Sequence, residues 1–287
     1  MAFPDTGPYL FFVFAYYVHD LSPFLIEFGK GWGIRYYGLA YVAGFLAWYY
    51  GLRWFRQKGW SSLNDSQISE LLLYTVLGVL LGGRLGYCLL YDGAETLRNP
   101  LSVIAFWHGG LQGMASHGGI AGALAGFLLW ARKDRGDGWA VADNAAVLAP
   151  VGIFLGRIAN FINGELWGRP AQVPWAVIFP QSGTGTPRHP SQIYEALGEG
   201  LVLGLAMLWL RSKNPRPSGK VAGAFFVFYG IIRILMEFFR EPDFGDPLWA
   251  GLSRGQWFSM GLVFLGAGIW WWRGLGMKGL RDEGVKG

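Results

Sequence analysis

Charge is the first thing this sequence is short of: only 15% of its 287 residues are Asp, Glu, Lys or Arg, where a soluble domain carries about a quarter. Long apolar runs take its place, with 52% of the chain apolar and 17% aromatic. That balance points to an integral membrane protein and away from a soluble enzyme. Thiols are scarcer still. Cys88 is the single cysteine, which excludes an intramolecular disulfide framework and a cysteine-based zinc cluster. Four scattered histidines leave little from which to build a metal site. The net charge of +5 does not indicate nucleic acid, because the basic residues sit in short loops between apolar runs and do not line one polar face. The N-terminus lacks the basic n-region of a cleavable signal peptide. Its apolar stretch Tyr9–Val18 stops at His19-Asp20 and then Pro23, short of the roughly 20 residues a span needs. The aromatics of that stretch suit an interfacial segment.

What is present is a series of seven apolar runs, with cores near Tyr37–Phe55, Glu70–Tyr91, His117–Ala131, Val141–Ile162, Ile193–Leu210, Val221–Phe239 and Gln256–Trp272. They predict an all-α polytopic membrane protein of about seven transmembrane helices. No internal repeat, low-complexity tract or soluble domain interrupts them. Residues 1–287 read as one membrane domain: an outer interfacial segment over 1–36, a transmembrane body over 37–273 and a cytoplasmic tail over 274–287. Gly118, Gly122 and Gly126 in the third run, with Gly82 and Gly86 in the second, have the spacing of closely packed helices.

Lys and Arg in alternate loops set the orientation. Arg53, Arg56, Lys58, Arg132, Lys133, Arg135, Arg211, Lys213, Arg216, Lys220, Arg273, Lys278, Arg281 and Lys286 fall on one side. Lys30, Arg35, Arg98, Arg169, Arg188, Arg240 and Arg254 fall on the other. The richer side is cytoplasmic, so the N-terminus is outside and the C-terminus inside.

Arg84, Arg157 and Arg233 remain, each in the outer half of a different span. Each costs at least about 2.5–3.5 kcal/mol on insertion scales. Three such charges at one depth suggest a shared electropositive pocket. Tyr229, Arg233 and Glu237 are four apart on one helical face, Arg157 and Asn160 share another, and Tyr37 and His117 open their helices at the same level. Plainer readings stand beside these: a structural Arg233–Glu237 pair, outward snorkelling of Arg84, belt aromatics at Tyr37 and Tyr229, and an idle interfacial His117. Asp143 reads as a complement to the dipole of its own helix, and Glu195 with Glu199 as a brace for a neighbouring helix. Guanidiniums in a dry pocket open to the outer leaflet suit an anion, and a lipid phosphate is the anion available at that depth. A histidine at the rim can exchange a proton near neutrality.

The stretch Gly156-Arg157-Ile158-Ala159-Asn160-Phe161-Ile162-Asn163-Gly164-Glu165-Leu166-Trp167-Gly168-Arg169 closely resembles the signature of the bacterial prolipoprotein diacylglyceryl transferases. So do Gly82–Tyr87, Arg188–Glu195, and Tyr229–Arg240 followed by Pro242-Asp243. The resemblance runs from about Tyr37 to the last helix, in the family's order. It implies a seven-helix body in the bacterial inner membrane, with periplasmic segments capping the site. It also implies transfer of the diacylglyceryl group of phosphatidylglycerol to the lipobox cysteine of a prolipoprotein signal peptide, with no cofactor and no metal. The family's essential histidine maps to His117 and its essential arginines to Arg157 and Arg233. Its supporting residues map to Tyr37, Asn160, Glu165, Gly168, Tyr229 and Glu237, and Arg84 also falls in a matching segment. The approach to His117 is longer and richer in glycine than the family's usual pattern. It holds a second His-Gly-Gly at His108, which is the lesser claimant because only His117 opens a helix after Met-Ala-Ser.

Two rivals predict different patterns. A transporter or channel for an anionic solute would carry polar residues through both membrane halves, with a repeat. An intramembrane protease would need Ser116 and His117 as a nucleophile–base pair, which adjacent residues at a helix start cannot easily form.

Overall fold

A computed structural model describes residues 15–29, 31–99, 103, 113–134, 138–216, 218–242 and 249–283. Its helices are α1 (Tyr36–Gln57), α2 (Asp65–Leu90), α3 (Gly93–Arg98), α4 (Ser116–Asp134), α5 (Gly138–Ile162), α6 (Ser191–Glu195), α7 (Leu203–Lys213), α8 (Lys220–Met236) and α9 (Arg254–Glu283). A π-helical segment, Ala196–Val202, joins α6 to α7, so Ser191–Lys213 forms one continuous rod. Each apolar run in the sequence lies on one of these rods. Three of them, Asp65–Leu90, Gly138–Ile162 and Ser191–Lys213, are long and apolar enough to cross a membrane by length and composition. Outward-facing residues such as Leu89, Ile120 and Phe264 are more than 70% exposed, as a lipid-facing surface requires.

The chain is mostly helical, as its apolar runs predict, and short strands stand beside the helices. Strands β1 (Tyr17–Val18), β4 (Val177–Ile178) and β5 (Pro187–Arg188) form a small sheet in the order β1-β4-β5, with β1 parallel to β4 and β5 antiparallel to it. Strands β2 (Phe24–Gly29) and β3 (Trp32–Arg35) form a bulged antiparallel hairpin running directly into α1. Two- to six-residue strands carry no span-length signal, so the apolar count passes over them. At the other terminus α9 continues to Glu283, well into the stretch expected to be tail.

The rods pack antiparallel through small residues. A Cβ added at Gly78, Gly82 or Gly122 would collide with the facing backbone, because α2 and α4 approach along Gly78–Gly122 and Gly82–Gly118. The glycine spacing in the sequence therefore marks a backbone-to-backbone seam. Helix α9 approaches α8 likewise at Gly223 and Gly230. Helices α1 and α5 run antiparallel with Gly51 over Leu148, which leaves the C-terminal halves of α2, α5 and α8 at one end. The starts of α1, α4 and α6 share that end.

The buried core lies at the opposite end, around Leu52, Phe55, Ile68, Leu71, Trp130, Val141, Leu203 and Val221. Two polar residues lock it. Asp143 does not serve its own helix: its carboxylate accepts from the backbone N–H groups of Ser218 and Gly219 at 2.8 and 2.9 Å and of Ala222 at 2.9 Å. It thus caps α8, whose N-cap is the side-chain-less Gly219. Arg211, counted in the sequence as a loop charge, is fully buried. It donates to Asn144 Oδ1 at 3.0 Å, to the Trp60 carbonyl at 2.6 Å and to the Asn214 carbonyl.

Candidate active site

The site is built where α5, α8 and the rod Ser191–Lys213 converge. Glu195 and Glu199 are both fully buried, and each divides its two oxygens between the same two arginines. Glu195 Oε1 accepts from Arg233 at 2.8 Å, and its Oε2 meets Arg157 at 3.0 Å as an ion contact without hydrogen-bond alignment. Glu199 meets Arg233 at 3.4 Å and Arg157 at 3.2 Å. On its other edge Arg233 pairs with Glu237 at 2.7 Å, and Arg240 lies 3.9 Å from Glu195. Ser253 donates to Glu237 at 2.9 Å, which fixes this carboxylate at the start of α9, where the helix dipole favours negative charge. Tyr229, one turn before Arg233 on α8, stacks on Phe225 at 5.7 Å.

This changes the picture of a pocket with surplus positive charge. Arg157, Arg233 and Arg240 face Glu195, Glu199 and Glu237, so the cluster is balanced internally. The guanidinium side chains of Arg157 and Arg233 stay 17% and 11% exposed, while both bridging glutamates are at zero. Among these four side chains, what stays exposed is arginine, with Glu237 beside it at 9%. The spacing of Glu195 and Glu199 is visible in the sequence; which helix that face meets is not.

The other candidates divide into three groups. Asn160 donates to Glu165 at 2.7 Å, and Gln192 holds the Glu165 carbonyl at 2.6 Å. Gly168 lies in a backbone cradle: its N–H donates to the His189 carbonyl at 2.9 Å, and an added Cβ would meet both that oxygen and the Phe239 carbonyl. Only glycine fits there. Arg188 pairs with Glu241 and donates to the Gly168 carbonyl at 3.2 Å, while Trp167 donates to Glu241 at 3.1 Å. Segments 165–170, 187–192 and 239–241 are thereby knitted into a cap beside the arginines. In that cap Trp175 donates to the Tyr194 hydroxyl at 2.6 Å, which lies 3.1 Å from His189 Nδ1. Burial pushes the His189 imidazole below its ordinary range.

His117 is exposed in the first turn of α4. None of the described hydrogen bonds or ion pairs joins it to the arginine cluster. Arg84 does not join that cluster by a described bond either. It donates to the carbonyls of Val103 and Gly113 at 3.0 and 3.3 Å, and so fastens the segment that leads to His117. The Ala115 N–H donates to the Gly83 carbonyl at 2.9 Å, and Gly113 takes a left-handed φ of 75° against the Tyr87 ring. His108, and most of the glycine-rich approach around it, lies outside the described residues.

Tyr37 lines a groove of about 290 Å³ between α1 and α5 that ends at Gly156, next to Arg157. Trp48, Thr75 and Ala149 also line a second, apolar cavity of about 390 Å³ reaching Phe127 and Phe226. The two share these three lining residues, and both are lined mainly by apolar side chains.

Residues 23–272 match the family described as prolipoprotein diacylglyceryl transferase. The chain belongs to that family. It is 49% identical over 253 residues to the phosphatidylglycerol–prolipoprotein diacylglyceryl transferase of Bordetella bronchiseptica, covering 88% of this chain and 95% of that protein. The same-named proteins of Cupriavidus metallidurans and Idiomarina loihiensis are each 47% identical over 256 and 248 residues. They cover 86% of this chain in both cases, and 92% and 91% of their own length. The cap and the arginine cluster both lie inside the matched region.

Proposed function

We propose that this chain transfers the sn-1,2-diacylglyceryl group of phosphatidylglycerol to the thiol of a lipobox cysteine in a prolipoprotein signal peptide, the first step of lipoprotein maturation. The observation that carries this reading is the convergence of Arg157 and Arg233 on two buried glutamates, with both arginine side chains left partly exposed. That arrangement sits at the helix ends where α4 also presents His117. In the reaction the thiol proton passes to a base, with His117 the candidate. The sulfur attacks the glycerol carbon bearing the phosphate, the C–O bond breaks, and its electron pair leaves on glycerol phosphate. Negative charge thus moves from sulfur to phosphate, and Arg157 and Arg233 stabilise it there. A protein nucleophile is unnecessary, so buried Cys88 takes no part.

The groove from Tyr37 to Gly156 would receive the lipid, its acyl chains in the apolar cavity and its phosphate at the arginines. Tyr229, Glu237, Asn160, Glu165 and Gly168 would shape the headgroup and signal-peptide side, and Arg84 would hold the approach to His117. We assign a single domain with seven spans in the bacterial inner membrane, N-terminus outside. The loop imbalance in Lys and Arg supports this even with Arg211 removed from the count. The site then faces the outer leaflet, where lipobox cysteines emerge.

The test gives the purified protein phosphatidylglycerol and a lipobox peptide and looks by mass for a diacylglyceryl adduct on cysteine. His117→Gln, Arg157→Ala and Arg233→Ala should each abolish the adduct while the protein stays folded in the membrane. No adduct from the unaltered protein, under conditions where a relative works, would sink the reading.

A further inference from the structure

Glu195 and Glu199 have no part in the chemistry above, yet they are fully buried and touch both arginines that do. Their local structure is unusual. Glu199 lies within the π-helical segment Ala196–Val202 and Glu195 directly precedes it. Such segments are rare and concentrate at functional sites. Glycines flank Glu199 on both sides. A Cβ at Gly200 would come within 2.6 Å of Phe154 on α5, and one at Gly198 within 3.0 Å of Ile232 on α8. The rod is therefore pared down where it carries the two carboxylates, and α5 and α8 close on it from two directions. Arg157 and Arg233 come from those two helices, each 3.4 Å or less from both glutamates.

We propose that Glu195 and Glu199 are positioning residues for the transfer: a two-carboxylate bracket that sets the aim of Arg157 and Arg233 and holds down their affinity for the product. The inference rests on the reading of those arginines as the phosphate site. Lipid phosphate arrives with one negative charge and glycerol phosphate leaves with two, because the electron pair of the broken C–O bond goes with it. Two unopposed guanidiniums would favour the product over the substrate and retain it. Sharing each guanidinium with two carboxylates weakens that grip and keeps turnover open. The same sharing fixes the planar forks, so that they meet the phosphate in one geometry.

A purely structural brace and a charge-setting bracket differ in one readout, inhibition by added glycerol phosphate. In detergent micelles with phosphatidylglycerol and a lipobox peptide, Glu199→Gln should lower kcat about tenfold. It should also tighten inhibition by glycerol phosphate about tenfold, as expected for one removed opposing charge, with KM for phosphatidylglycerol falling, not rising. Glu195→Gln should behave alike. A structural brace would lower kcat and raise KM without tightening the inhibition, and that result overturns the proposal. If the glutamine variants do not fold, Glu199→Asp carries the test. A shortened carboxylate that cannot span both guanidiniums should give both changes at about threefold, and unchanged values for both would refute the bracket. Arg157→Ala and Arg233→Ala separate the two levels of argument. If these retain transfer, the phosphate-site reading fails. If they are inactive while the glutamine variants keep ordinary product inhibition, the bracket alone fails.

Discussion

The rod Ser191–Lys213 carries a buried polar cluster at each end, and the two ends use arginine in opposite ways. At the core end Arg211 is fully buried and directs its guanidinium at two backbone carbonyls and the neutral amide of Asn144. Its donors are absorbed by groups that cannot leave. At the other end Arg157 and Arg233 meet carboxylates and retain some exposure, and Gly156, the chain neighbour of Arg157, lines a groove. An arginine fixed by backbone oxygens ties loops and helix ends together. One balanced against glutamate can exchange part of its pairing for another anion. Burial alone does not distinguish a lock from a site; the identity of the partner does.

The sharpest way to break this comparison is to remove an arginine at each end. Arg157→Ala or Arg233→Ala should reduce transfer by at least about 100-fold, the scale for loss of one charge-stabilising contact. Thermal unfolding in detergent should move little, because each glutamate keeps the other arginine. Arg211→Met should do the reverse. Three buried acceptors lose a donor, and the folded state should lose about 3 kcal/mol or more, read as a lower unfolding midpoint, while the activity of the remaining folded protein stays within about twofold. Activity loss without destabilisation in Arg211→Met would erase the distinction.

Asp143→Ala sharpens the same point at smaller scale. It removes the carboxylate that accepts from the N–H groups of Ser218, Gly219 and Ala222 at the start of α8, and should cost about 1–2 kcal/mol. Arg233 lies more than two turns away on the same helix, so kcat should be retained. A large fall in kcat would show that the core-end cap also aims the arginine.

Much of this is legible in the amino-acid sequence, for a physical reason. Charge inside an apolar run is expensive, so Arg157 and Arg233 stand out, and the run Asn160–Arg169 carries the family likeness. Partnership is harder to read. The four-residue spacing of Glu195 and Glu199 shows a shared face, but facing is a tertiary property, and the glutamates brace the arginines themselves. Arg211 reads as a loop charge because it ends an apolar run, although a fold that brings Trp60, Asn144 and Asn214 around it can bury it. Asp143 reads as a dipole partner of α5, yet it caps a helix some 75 residues away along the chain. The strands of the cap are held by tertiary pairing rather than by local pattern, and two-residue segments leave no periodicity to detect. Gly168 is marked by family likeness; its reason, a cradle between two backbone carbonyls, exists only in three dimensions.

The smallest expected effect separates the two ends by pH. The core-end cluster is built from Arg211, Asn144 and Asp143 and contains no histidine. The cap over the site contains His189, whose Nδ1 lies against a tyrosine hydroxyl that already accepts from Trp175. That hydroxyl is then free to donate its proton to a neutral imidazole, in keeping with the downward displacement of the His189 pKa by burial. The folded state therefore disfavours protonated His189, and the unfolded chain binds that proton more readily. Stability from this group is fully present above the ordinary histidine value near 6.5. It should be lost as pH falls from there toward the lower folded value, then level off. Partial exposure of His189 keeps the effect small. His189→Gln can still accept from the tyrosine but cannot titrate. Unfolding midpoints at pH 7.5 and 5.5 should differ less in that variant than in the unaltered protein. The other three histidines are common to both proteins, so the comparison isolates position 189. An identical pH response in the two proteins would mean that the cap does not hold His189 neutral, and the outer end would then lose its one pH-sensitive contrast with the core end.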